Sequence, residues 1–336
     1  MQSPAEEVLD RITNNPLNYL ANRQEDHYER LLALYCEVGY GSEADNAGWR
    51  DKSVSTWSKI DSLMPGATTC GIVDGRVVSS WGSISIAPQL LYTHSLCMQK
   101  TLEGAVSLFA QAVHHFRMFS CMSRGSFLGA GFANKSGFTP AVFIPKTFDI
   151  TTQIHIDSLL CHRSDALAYT HASSLDLSCT TSSDDQYLTY QQRAIFNALS
   201  QVDPRLMGCR LVTPAAVRRS DGGEPVALLI FQSALPFITA VDIHAEILVF
   251  PAHETIELEG LCHSLRRISA IGSADLYLFL PARPRTLISI QGETVYPSFW
   301  VATPQEQCQA LQRACREAFV YILRKYSDQE LGAYLE

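Results

Sequence analysis

The sequence predicts a mixed α/β (α+β) protein of two tandem halves, each a mostly antiparallel mixed sheet flanked by helices. Three observations predict it. Asp74-Gly75 stands between two β-branched runs, a hairpin signal, and is followed by a strand and then by a helix that opens at a glycine. The same order of elements returns late in the chain, around a repeated Leu-Glu-Gly. Between them lies a stretch rich in serine and threonine, Ser173 to Ser183, ahead of Asp184-Asp185. The expected division is residues 1–150, a linker region at 151–185, and residues 186–336.

Taken in order, Ser3-Pro4-Ala5-Glu6 is a capping box with proline at the first helical position, opening a short helix that carries Val8, Leu9 and Ile12. A second helix, about Glu25 to Val38, puts Tyr28, Leu31, Leu32, Tyr35 and Val38 on one face. Thr69 to Val73 and Arg76 to Ile86 flank the turn as strands. Leu90 to Met98 is apolar on both faces and reads as a central strand. Gln99-Lys100-Thr101-Leu102-Glu103-Gly104 follows, and Val106, Phe109, Val113 and Phe116 then recur at helical spacing. The glycine therefore lies at or near a helix N-terminus, where free N–H groups would face an anion.

In the second half the pattern predicts a helix from Tyr187 to Leu199, a turn at Asp221-Gly222-Gly223, strands Val226 to Gln232 and Phe237 to Phe250, a helix from about Glu259 and a strand Leu276 to Leu280. Leu258-Glu259-Gly260 sits 156 residues after Leu102-Glu103-Gly104. Near the end, Thr303-Pro304-Gln305-Glu306 reads as another capping box. Leu311, Ala314, Cys315, Ala318, Phe319, Ile322 and Leu323 make one helical stripe that must be covered, by the chain's own sheet or by a homodimer partner.

The order of signals from residue 69 to 140 resembles the core of the GNAT acyltransferase superfamily, in which a strand leads into an [RQ]xxGx[GA] loop. Gln99 and Gly104 occupy the loop's first and last positions, and Leu102 stands at its middle glycine. Asn134 to Pro140 resembles the family's closing phrase "FYEKLGF", with Lys135, Gly137 and Phe138 matching and Ala133 at the tyrosine that is the frequent general acid. The resemblance implies acyl transfer to a small-molecule acceptor, with acyl-CoA or acetyl-CoA, or an acyl carrier, as donor. It implies that Gln99, Lys100 and the amides of Gly104 and Ala105 hold the donor's phosphates. Fused members of the superfamily often keep one working half, and a silent ligand-binding or protein-interaction module is the competing reading.

For acid/base chemistry the residues themselves point to Asp242, His244 and Glu246, which alternate along ITAVDIHAEILVF and so share one strand face. That face either lines a pocket or is the solvated side of an amphipathic strand. His94, in the equivalent strand of the first half, is the next candidate base, against a reading as a satisfied core histidine.

Composition sets the bounds. A chain of 336 residues, 46% of them hydrophobic, can bury a large core. The net charge of −8 carries no basic stripe, so nucleic acid is not an expected partner. The 10 cysteines fall without CxxC pairs and read as buried apolar side chains in a reducing compartment, with no metal expected. The chain has neither an apolar run of spanning length nor a signal-peptide pattern at its start, and the expected location is cytoplasmic, without a membrane partner.

Overall fold

The computed structural model describes residues 2–40, 47–87, 90–121, 126–132, 154–163, 177–181, 188, 192–193, 215–219, 225–231, 247–251, 261, 264–265, 276–279 and 293–335. The chain opens with α1 (Pro4–Asn14), where the Glu6 carboxylate accepts from both the backbone N–H and the hydroxyl of Ser3, as the capping box predicts. The helix expected from Glu25 to Val38 is built in three pieces: a 3₁₀ turn at Glu25–His27, α2 (Tyr28–Tyr35) and a π-helical turn at Cys36–Tyr40. Sequence reasoning missed α3 (Ala47–Leu63), on which Trp57 and Ile60 are buried.

The hairpin forms as its turn residues dictate. β1 (Ala21–Asn22) pairs with β2 (Thr68–Val73), and β2 with β3 (Arg76–Ala87); Asp74 and Gly75 both hold positive φ, 49° and 74°, as a type I′ turn requires. β4 (Leu90–Met98) follows as expected, then α4 (Leu102–Ser120), then β5 (Ser126–Phe132) parallel to β4.

Beyond β5 come β6 (Ile154–Arg163) and β7 (Leu177–Thr181), so the stretch read as a linker contributes two strands. They are followed by β8 (Ala215–Arg219), β9 (Pro225–Phe231), β10 (Ile247–Pro251), β11 (Leu276–Phe279) and β12 (Glu293–Pro304). One sheet holds all twelve strands in the order β1-β2-β3-β4-β5-β12-β6-β11-β10-β9-β8-β7. That order is symmetric about the β12/β6 pair. β8-β9-β10 repeats the antiparallel run β2-β3-β4, and the parallel pair β10/β11 repeats β4/β5. The last strand of each half has crossed over: β6 lies against β11, and β12 against β5. Two tandem halves with the same topology therefore share a continuous sheet, joined by ten residue pairs from Glu293↔Arg163 to Ala302↔Ile154.

The crossover explains where the C-terminal helix goes. After β12 the chain is on the first half, and α5 (Cys308–Leu323) packs its stripe on α4 and α1, with Phe109 and Phe319 ring centroids 5.2 Å apart. The stripe's cover thus comes from within the chain, and from the first half's helices rather than from a sheet. The capping box expected at Thr303 does not form, because Thr303 and Pro304 still belong to β12; a 3₁₀ turn at Gln305–Gln307 intervenes and no side chain caps α5. A short α6 (Asp328–Gly332), boxed by Ser327 and Glu330, closes the chain against the same core.

Alternation along the hairpin gives the first half's sheet two different faces. Toward α4 it turns Thr69, Ser79 and Trp81; a Cβ on Gly71 would lie 2.3 Å from the Ser107 Cβ, so only glycine lets α4 come this close. Toward α2 and α3 it turns Cys70 and Ser80, near Arg23. There Arg23 forms a two-toothed pair with Asp61 at 2.9 and 3.1 Å, under the rings of Tyr28 and Trp57, and the Tyr28 hydroxyl donates to the same carboxylate at 3.0 Å.

Candidate functional site

The parallel pair β4/β5 parts partway along. Pairing runs from Leu90↔Ser126 to Thr93↔Gly129 and stops, although β4 continues to Met98, still paired with β3, and β5 continues to Phe132, paired with β12. The cause lies on β4 itself. From Ser80↔Cys97 to Gly82↔His94, three steps of β4 oppose two of β3, so β4 carries a bulge around Ser95 and Leu96. A bulge bends and twists its strand, and here it turns β4 away from β5. The result is a fork whose β4 side, His94 to Met98, is not paired with β5 among the described residues. In the second half β10 is paired with β9 to Pro251↔Ala227 and, among the described residues, with β11 to Val249↔Leu278. Val249 is 156 residues after Thr93, the spacing that separates the two Leu-Glu-Gly triplets.

The β4 side of the fork leads directly into α4. The Gln99 backbone is fixed by its N–H to the Val78 carbonyl at 2.8 Å, and its buried side chain donates to the Glu37 carboxylate at 2.7 Å. Helix α4 begins two residues earlier than the glycine suggests, because Thr101 is its N-cap: the hydroxyl accepts the Gly104 N–H at 3.1 Å, and the Ala105 N–H reaches the Thr101 carbonyl at 3.1 Å. Gly104 is required by this turn's own backbone. A Cβ there would sit 2.4 Å from the Gln99 carbonyl oxygen. The amides of Leu102 and Glu103 have no acceptor among the described residues, and Lys100 is exposed beside them. The Leu102 side chain is buried in the core cluster, away from that surface.

The predicted site residues divide accordingly. Gln99, Lys100, Gly104 and Ala105 come together at the end of β4 and the start of α4. His94 is the first β4 residue past the last β5 pair, opposite Gly82, which puts its backbone at the fork. Asp242, His244 and Glu246 lie outside the described residues, as do Ala133, the phrase Asn134 to Pro140, Asp221 to Gly223 and Leu258 to Gly260. Sequence reasoning did not find Glu37, which reaches Gln99 only because the π-helical turn brings it there, or Thr101, although a threonine three residues before the glycine was a legible cap.

On the sheet side of α4 a second polar set is closed from solvent. The His115 Nε2 lies 3.0 Å from the Trp81 carbonyl and 3.1 Å from the Thr69 hydroxyl; a carbonyl only accepts, so Nε2 carries the proton. Its Nδ1 has no partner among the described residues. Burial, with His114 beside it, pushes the ring's pKa down to about 3, so His115 is neutral and serves as a core donor. Cys36, Cys70, Cys97, Cys121, Cys308 and Cys315 form no disulfide among the described residues, and Cys70, Cys97, Cys308 and Cys315 are buried. Among the described residues no group of three or more His, Cys, Asp or Glu is placed to hold a metal ion, and no helix is long and apolar enough to cross a membrane.

No family model matches the chain, and no curated protein matches it. Among solved structures it is similar to a GCN5-related N-acetyltransferase from Sphaerobacter thermophilus, at 12% identity over 85% of this chain and 95% of the other, with a TM-score of 0.46. A tandem GNAT protein from the clavulanic acid biosynthesis pathway is 13% identical over 85% of this chain and 98% of its own, with a TM-score of 0.40. A GCN5-related N-acetyltransferase from Anabaena variabilis is 10% identical over 84% and 71%, with a TM-score of 0.37. The chain's own strand order, with one parallel pair in each half, makes it two tandem halves of one topology.

Proposed function

We propose that the first half transfers an acyl group from coenzyme A or an acyl carrier to a small-molecule acceptor. The observation that supports this best is the fork, where β4 runs past its last β5 pair among the described residues and straight into the capped start of α4. An open strand edge offers alternating N–H and C=O groups to an extended ligand, which suits the amide-bearing arm of a coenzyme A-type thioester. The helix start supplies the other end. The unclaimed amides of Leu102 and Glu103, with Lys100, suit the donor's phosphates, while Gln99 and Gly104 shape the turn. In the transfer a bond forms between acceptor and acyl carbon, the carbon–sulfur bond breaks, and a proton passes from the acceptor to the departing thiolate. His94, at the fork, is the base we place first, with Asp242, His244 and Glu246 as the second-half alternatives. Ala133 stands where the family has its tyrosine acid, so the thiolate takes its proton from another group or from water.

The first half is the better donor site on charge. The positions 156 residues after Lys100 and Thr101 are Ile256 and Glu257, which supply no cation and place a carboxylate where the first half has its cap. One observation favours the silent reading: Glu37 holds the Gln99 side chain, and Thr101 already holds the Gly104 amide. Calorimetric titration with acetyl-CoA and with coenzyme A separates the two. The acyltransferase reading expects saturable binding that Lys100→Glu weakens about tenfold, and turnover that His94→Gln reduces without changing donor affinity. Failure of both ligands to bind leaves the silent module as the account.

A further inference from the structure

A cavity of about 470 Å³ opens where α1, the second half of α4 and the first half of α5 meet, a volume within the roughly 300–1,000 Å³ typical of small-molecule sites. It is separate from the fork, since its α4 residues lie about 8–20 Å along the helix from Gly104 at 1.5 Å per residue. Its walls are of two kinds. Phe109, Val113, Phe116 and Cys315 make an apolar side. Arg117, Arg313 and Arg316 stand on the other with a single carboxylate, Asp10. Arg316 is committed, pairing with Asp10 at 2.7 Å and donating to the Glu6 carbonyl at 3.3 Å, and Arg117 donates to the Thr13 carbonyl. Arg313 is exposed and has no hydrogen-bond or ion-pair partner among the described residues. A protein of net charge −8 thus collects three guanidiniums against one carboxylate around an apolar hollow.

We propose that this cavity binds a small amphipathic anion, a carboxylate carried on an apolar body. The body lies against Phe109, Val113 and Phe116, and the carboxylate faces Arg313 and Arg117, whose planar guanidiniums suit it better than an ammonium would. Neither half of the ligand suffices alone. The apolar walls give no reason to hold a short polar acid, and the exposed arginines attract a free ion only weakly.

The test uses the full chain and three probes, titrated by calorimetry: 4-phenylbutyrate, its neutral counterpart 4-phenylbutanol, and butyrate. The variants are Arg313→Glu, on the exposed surface, and Val113→Trp, which fills the hollow, each checked by its melting curve. 4-Phenylbutyrate binds saturably to the unaltered protein, Arg313→Glu weakens it about tenfold by reversing the charge that meets the carboxylate, and Val113→Trp abolishes it. The other two probes bind at least about tenfold more weakly, each lacking one of the two contacts. Equal binding of the alcohol, unchanged binding in Arg313→Glu, or no saturation by about 10 mM overturns the proposal; the Arg313→Glu arm decides it if Val113→Trp does not fold.

Discussion

The two faces of the first half's sheet bury polarity in opposite ways. Under α4 the seam is neutral: Thr69, Ser79, Gln111 and His115, with Gly71 giving the helix its close approach. Under α2 and α3 it is ionic, a guanidinium and a carboxylate held between aromatic rings. The neutral face costs little to desolvate but depends on fit. The ionic face depends on both partners being present, because breaking a buried pair leaves an uncompensated charge. The face whose packing depends on glycine and neutral partners is also the one whose helix begins at the fork.

The largest expected effect breaks the ionic face. Asp61→Ala leaves Arg23, whose side chain is fully buried, without its partner and takes the Tyr28 hydroxyl's acceptor as well; unfolding by denaturant should show a loss of about 3–5 kcal/mol. Next comes fit on the neutral face. Gly71→Ala sets a methyl 2.3 Å from the Ser107 Cβ and 2.4 Å from the Ser79 Oγ, and should cost about 2–3 kcal/mol in the same assay.

The neutral face also has the acid sensitivity. His115 has a pKa of about 3 when folded, against 6.5 for the free ring, so between those values the unfolded chain binds a proton that the folded one does not. Its contribution is fully present above about pH 6.5 and is lost on acidification, at up to about 1.4 kcal/mol per pH unit. His115→Gln should flatten the stability profile between pH 6 and 4 by about that slope; an unchanged slope would mean that other groups set it. The smallest effect is at the cap. Thr101→Ala removes the acceptor of the Gly104 N–H and should lower the melting free energy by about 1 kcal/mol.

How much of this was legible depended on whether the signal was local. Asp74-Gly75 names its own turn, and β4 falls at the residues the apolar run predicts. The fork was not legible, because it rests on a one-residue mismatch between β3 and β4, which is a property of register between strands. The crossed last strands were not legible either. The apolar stripe of α5 says that something covers it, but only the position of β12 beside β5 says that α4 does. At the site, Gly104 was found from sequence for one reason and is needed for another, since the turn's own carbonyl excludes a side chain there.

Hydrogen exchange with and without acetyl-CoA tests the donor reading most directly, because it reports the amides that a bound arm and its phosphates would cover. The account predicts slowed exchange in peptides covering residues 94–98 and 101–104, with no change across β10, residues 247–251. Unchanged exchange at saturating acetyl-CoA, or protection confined to the second half, would contradict it.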